Sequence, residues 1–479
     1  MNYCRVNRQP GAIQRAMKRA IVIAASLLCG AVLPGHAALT EKQLNTLDTI
    51  KQDVSVSSQS YQIIESLTTE VGARMVGTPG ADLATDWAVK KMKMLGFDKV
   101  WVEESKAQLW QRGDLSASII APYRQKLVAI ALGGSVGTNG KPLEAEVVFF
   151  DNLKALEEAP ENSLAGKIAY IGYRMERHID GHGYGKAVGA RVIGATTAAQ
   201  KGAVAFVMRS VGTDTDRIAH TGMMRYEEGV KKIPAVALSN PDADLLENML
   251  RRQEPVIFSL TTNASGPTGK TVTIANVIGE VTGSESPDEL ITLGAHIDSW
   301  DVGTGAIDDG IGIGIVLAAG HYIATMPERP ARTIRVILFA AEEIGLVGVR
   351  DYVARHEANI SNHMIGAEWD FGNGQIYQLE PGVGPMALNS IRDFATYLVP
   401  MGVALAPTNT AKGQSDMSLL GAAGQPAVNF APDGLDYFDY HHTENDTLDK
   451  VNKQALKVNT AIYTLFAWYA ASSDVNFHQ

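Results

Sequence analysis

His296-Ile297-Asp298, Asp308-Asp309, Glu342-Glu343, Glu368-Trp369-Asp370 and His441-His442-Thr443 are the stretches of this chain whose residue types and spacing could do chemistry. Imidazoles and carboxylates without a thiolate are the ligands that a catalytic divalent cation takes, zinc above all. Each cluster alone has an ordinary reading. A histidine after a strand is usually a satisfied structural group, an aspartate at a helix mouth is usually an N-cap, and adjacent glutamates usually face solvent. Glu342-Glu343, however, follow the apolar run Val336-Ile337-Leu338-Phe339-Ala340-Ala341. A buried acid there must be paired, protonated or bound to a cation. Taken together, the clusters read as a metal centre. They are too many for one ion and suit two, about 3.5–4 Å apart, bridged by one carboxylate and one water.

The elements that must position these side chains alternate. Apolar runs at 290–293, 333–339 and 363–367 predict strands, and 310–324 and 347–356 predict helices. This is the rhythm of an α/β fold, a mostly parallel sheet with helices on both faces. In such sheets ligands sit beyond the carboxyl ends of the strands, where the clusters fall. Upstream, Leu44, Leu47 and Ile50, then Tyr61, Ile64 and Leu67, then Leu83, Ala84, Trp87, Ala88, Met92 and Leu95 recur at helical spacing. Lys99-Val100-Trp101-Val102 reads as the strand that follows. Between 127 and 268 short strands alternate with Ala-rich or polar helices, and a Gly/Pro/Ser-rich joint at 263–269 closes the stretch. It reads as an inserted β-rich domain. The expected division is a leader at 1–37, a catalytic domain in two parts at 38–126 and 269–479, and the insertion at 127–268.

The stretch from His296 to Gly310, with Gly303, Gly305 and the Asp308-Asp309 pair, resembles the metal-binding segment of the co-catalytic zinc peptidases, the family of bacterial leucyl aminopeptidases and glutamate carboxypeptidases, in its carboxypeptidase Q-like branch. Gly72-Ala73-Arg74-Met75-Val76-Gly77-Thr78-Pro79-Gly80 and Trp110-Gln111-Arg112-Gly113 support the same resemblance, which also implies that the insertion is protease-associated-like. It implies two Zn2+ ions: His296 and Asp370 on one, Glu343 and His442 on the other, and Asp308 on both. It implies Glu342 as general base toward a metal-bridging water, Asp298 orienting the His296 imidazole, and a cis peptide between Asp308 and Asp309. The choice of His442 over His441 follows the family's His-Thr/Ser pattern. The implied activity is an exopeptidase acting on dipeptides or short peptides, with a broad-specificity aminopeptidase as the alternative and a non-catalytic receptor-like homologue as the remote one. A homodimer is the implied assembly.

Softer signals surround these. Gln414-Ser415-Asp416 is either a pocket border or a helix cap. Tyr437, Phe438 and Tyr440 either line a specificity pocket or pack a loop, and Arg74 reads as a salt bridge within the N-terminal helices.

Composition excludes other classes. Arg5, Arg8, Arg15, Lys18 and Arg19 precede an apolar run at 20–33 and a Gly35-His36-Ala37 cleavage signature, which predicts an exported protein, periplasmic or secreted. The run is too short for a stable membrane anchor. Both cysteines, Cys4 and Cys29, lie in this leader, so the mature chain would have neither thiol catalysis nor cysteine-bound zinc. Removing five positive charges would move the formal charge from −10 to −15, which argues against nucleic acid as a partner.

Overall fold

The computed structural model describes residues 39–479. The leader and its two cysteines lie outside the described residues. Among the described residues no helix is long and apolar enough to cross a membrane.

Three helices open the described chain: Glu41–Val56, Gln59–Glu70 and Pro79–Met94. The first begins with a capping box, Thr40 and Gln43 each satisfying the other's backbone N–H. The strand foreseen at Lys99 runs on to Gln108, pairing along its whole length with Thr271–Val281. That pairing opens an eight-stranded sheet. Its centre holds four parallel neighbours in the order Arg332–Phe339, Ser286–His296, His363–Glu368 and Ala427–Pro432. Antiparallel pairings flank this centre on both sides, and at one edge Ile376–Gly382 pairs in parallel with the short strand Ala404–Leu405, so the sheet is mixed.

The period-two alternation of a strand splits the core. Val336 and Leu338 face one side with Leu293 and Ala295, packed beneath the helices Gly310–Thr325 and Lys453–Ser472. Ile337 and Phe339 face the other side, with Ile278, Val349, Tyr352, Met417 and Leu420. Burial on both faces explains the unbroken apolar run Val336-Ile337-Leu338-Phe339 that ends this strand.

A second eight-stranded sheet is built from residues 115–262. Its first long strand, Leu115–Ala121, lies upstream of position 127 and pairs with Ile257–Thr262. Its centre is again parallel: Leu143–Phe150, Ile168–Ile171, Ala205–Arg209 and Ala235–Leu238. The helix His182–Gln200 covers one face, and its Ala187 and Ala190 join the larger of the hydrophobic clusters. The stretch is therefore α/β in character, with antiparallel pairing only at its margins.

Candidate metal centre

Every parallel strand of the first sheet ends at the same place. His296 is the last residue of its strand, Glu342 and Glu343 follow Phe339 by three and four positions, and Asp370 follows Glu368 by two. The segment beyond Ala427–Pro432 brings in His441 and His442. The ligand atoms converge. His296 Nε2 lies 3.0 Å from Asp308 Oδ1 and 3.2 Å from Asp370 Oδ1. His442 Nε2 lies 2.9 Å from Glu343 Oε2 and 3.3 Å from Asp308 Oδ2. Asp308 thus turns one oxygen toward each imidazole. Its carboxyl is held well below the usual range: burial acts to raise it, and the flanking His296 and His442 override that.

His441 stacks on His442 at 3.5 Å between ring centroids, with Nε2 3.8 Å from Asp308 Oδ2. Its Nδ1 is buried without a partner. The structure therefore brings both imidazoles of the pair to the centre, His442 more closely.

These residues fit bound metal cations. Six nitrogen and oxygen atoms from five residues converge with little solvent access, and Glu343 Oε1 is buried with no hydrogen-bond partner. Burial without compensation is costly for a carboxylate, and cations are the usual compensation. Among the described residues, Asp308 meets His441 and His442 in one possible ligand group and His296 and Glu343 in another.

Glu342 stands beside the ligands. Its Oε1 accepts a 2.7 Å hydrogen bond from Ser415 Oγ. Burial, reinforced by the Asp370 carboxylate, pushes its pKa up to about 8. Asp298 is placed differently from expectation. The imidazole Nδ1 of His296 is 3.0 Å from the Asp298 backbone carbonyl and 3.8 Å from its carboxylate. The carboxylate instead accepts the backbone N–H groups of Glu342 and Glu343, at 3.1 and 3.3 Å. One turn therefore orients a histidine through its carbonyl and both glutamates through its side chain. The Asp308–Asp309 peptide is cis. Asp309 caps the helix Gly310–Thr325 through Gly312 N–H at 3.0 Å and accepts His296 N–H at 3.1 Å.

Several supporting residues escaped the sequence reading. Arg74 makes no salt bridge within the N-terminal helices. Fully buried, it donates to the carbonyls of Gly72, Ile297, Thr304 and Gly305, at 2.7–3.2 Å, and so fixes the loop that delivers Asp308. Gly305 has φ +61°, and a Cβ there would meet that guanidinium at 2.6 Å. Asp446 accepts Ile307 N–H at 2.6 Å and Asp308 N–H at 3.3 Å from the loop's other side. Ala341, Leu346, Ser415 and His442, all beside the centre, take positive φ. Side-chain-bearing residues pay strain there, as functional sites often require.

The centre opens into a cavity of about 430 Å³. One wall is aromatic, Phe371, Tyr437 and Phe438. Tyr184, Arg191, Met223 and Arg225, from the second sheet's segment, line the cavity as well. Tyr184 stacks on Phe438 at 5.0 Å.

Residues 276–467 match the model of peptidase family M28. The chain is 31% identical to carboxypeptidase Q of Mus musculus over 417 residues, 87% of this chain and 86% of that protein. A solved peptidase M28 precursor from Shewanella amazonensis SB2B superposes with TM-score 0.89 at 48% identity, covering 91% of this chain and 98% of that one. The zinc aminopeptidase of Bacillus subtilis shares the fold, with TM-score 0.63 at 20% identity over 88% of this chain and 98% of its own. The chain belongs to peptidase family M28.

Proposed function

We propose that the chain is a two-zinc exopeptidase of dipeptides or short peptides, with Glu342 as its proton carrier. The observation that carries this is Asp308, whose two oxygens face two different imidazoles at 3.0 and 3.3 Å. In this reading His296 and Asp370 hold one ion, Glu343 and His442 the other, and Asp308 both. When bound, zinc supplies Lewis-acid polarisation of the scissile carbonyl and eases deprotonation of water near neutral pH.

The protein's own groups do the rest. Glu342, held by Ser415 and oriented by Asp298, takes the proton of the attacking water and returns it to the departing amine. Asp298 keeps both glutamates in register by accepting their backbone N–H groups. Asp446 and Arg74 fix the Asp308 loop from opposite sides. The basic, apolar leader supports action outside the cytoplasm.

Substituting Glu342 tests the assignment. Glu342→Ala should retain the wild-type zinc content and lose about 10²–10⁴-fold in kcat. Near wild-type turnover at equal zinc content would remove Glu342 from the role.

A further inference from the structure

Two residues of the second sheet's segment reach the loop of His441 and His442 from behind. His220 and Asp214 are 1% and 5% exposed, and neither lines the cavity beside the centre. His220 Nδ1 donates to the His441 backbone carbonyl at 2.8 Å, and its Nε2 faces Asp214 Oδ1 at 2.6 Å. Asn240 Nδ2 in turn donates to the backbone carbonyls of Gly212 and Asp214, at 3.3 and 3.2 Å. Space is equally fixed: a Cβ on Gly212 would meet the His220 ring at 2.2 Å. A carboxylate, an imidazole and an oxygen in line are the parts of a hydrolytic triad. Here the oxygen is a backbone carbonyl, which cannot attack a substrate, so the pair holds its partner in place.

The next residue meets the ligand itself. Thr221 N–H donates to the His442 carbonyl at 3.0 Å, and His442 Nδ1 lies 3.3 Å from the Thr221 carbonyl. With Nε2 offered to a cation, Nδ1 keeps the proton, and that carbonyl accepts it. Arg191 Nη1, 3.4 Å from the same nitrogen, is itself a donor and cannot. His442 sits at φ +62°, a strained conformation for a residue with a side chain. It persists only where the surroundings over-determine it. His220 and Thr221 supply hydrogen bonds that do so, and they come from a segment that carries no ligand.

We propose that His220, braced by Asp214, is a positioning residue for the zinc ligand His442, so that the second sheet's segment sets the affinity of the ion that Glu343 and His442 hold. This inference rests on the two-zinc reading above and extends it to residues that touch neither ion nor substrate.

Zinc withdrawn from the holoenzyme by a graded chromophoric chelator reports the two affinities separately, and His442→Ala identifies which of them depends on that ligand. His220→Gln should weaken the same affinity about tenfold or more and leave the other within about threefold. Its amide stands where Nε2 stood, toward Asp214, and leaves the His441 carbonyl unmet. His220→Asn puts its amide near the Nδ1 position and should keep that affinity within about threefold of wild type. His220→Ala should behave as His220→Gln does; should it fail to fold, the Gln and Asn variants still decide. A merely structural role would cost stability in both variants and move the two zinc affinities together or not at all. Equal weakening of both affinities, no weakening, or His220→Asn as weak as His220→Gln overturns this inference alone. A wild type that yields a single zinc, or His442→Ala that retains both, overturns the two-zinc reading, and this inference with it.

Discussion

Arg74 shows how much of this centre is held by groups that never touch a reacting atom. Its guanidinium joins four carbonyls, three of them on the loop between His296 and Asp308. Lysine offers a single ammonium and cannot span them. Arg74→Lys should therefore destabilise the protein by about 3 kcal/mol, from lost charge-assisted bonds and carbonyls left unpaired. Chemical denaturation checks this, and a change below about 0.5 kcal/mol would show that the loop holds itself. Residues of this kind are not legible in sequence, because their partners are backbone atoms on remote segments. Asp446 is invisible for the same reason. His296, Glu342, Glu343 and Asp370 were legible because they end or follow strands rich in apolar residues, and Asp308 because it stands beside Asp309 at a helix mouth. His441 and His442 are adjacent, and which ring turns inward depends on a backbone with φ +62° at His442, which no spacing rule encodes.

At the scale of elements, the helix Val347–His356 and the strand His363–Glu368 meet through a buried polar contact. Tyr352 Oη accepts from Arg335 at 2.9 Å and donates to His363 Nε2 at 2.9 Å, while His363 Nδ1 lies 3.3 Å from the Asn359 carbonyl. Both ring nitrogens are satisfied only when the imidazole is neutral. Burial, then the nearby Arg335 charge, pushes its pKa down to about 4. His356 and Glu103 pack on the same side, paired with each other at 2.9 Å. The sign follows from proton binding. Below the unfolded value of about 6.5 the unfolded chain takes up a proton that the folded one refuses, so stability falls as pH drops. The loss from this group spans about pH 6.5 to 4 and amounts to about 3 kcal/mol. Unfolding titrations at several pH values should show His363→Gln flattening that slope; an identical slope in the variant would contradict it. The strands around this contact were readable because burial on both faces leaves an apolar run. Ile376–Gly382 was not, since its half-exposed face carries Gln378 and Glu380 among apolar residues.

Over the whole molecule, two sheets meet at one cavity. The first supplies the ligands from the ends of four parallel strands, and the second supplies part of the lining. The first contribution follows from the general placement of sites in α/β sheets and so could be read early. The second could not, because nothing local in residues 180–225 signals which surface they meet. The strand Leu115–Ala121 shows the same limit, since its partner Ile257–Thr262 lies more than a hundred residues away.

The arrangement around Asp308 makes a quantitative demand on the metal. Protein stripped with a chelator and titrated with zinc should regain full peptidase activity only as the second equivalent per chain binds, and Asp308→Ala should bind fewer than two. Full activity at one equivalent, or two tightly bound zinc ions in Asp308→Ala, would contradict a centre built on a shared carboxylate.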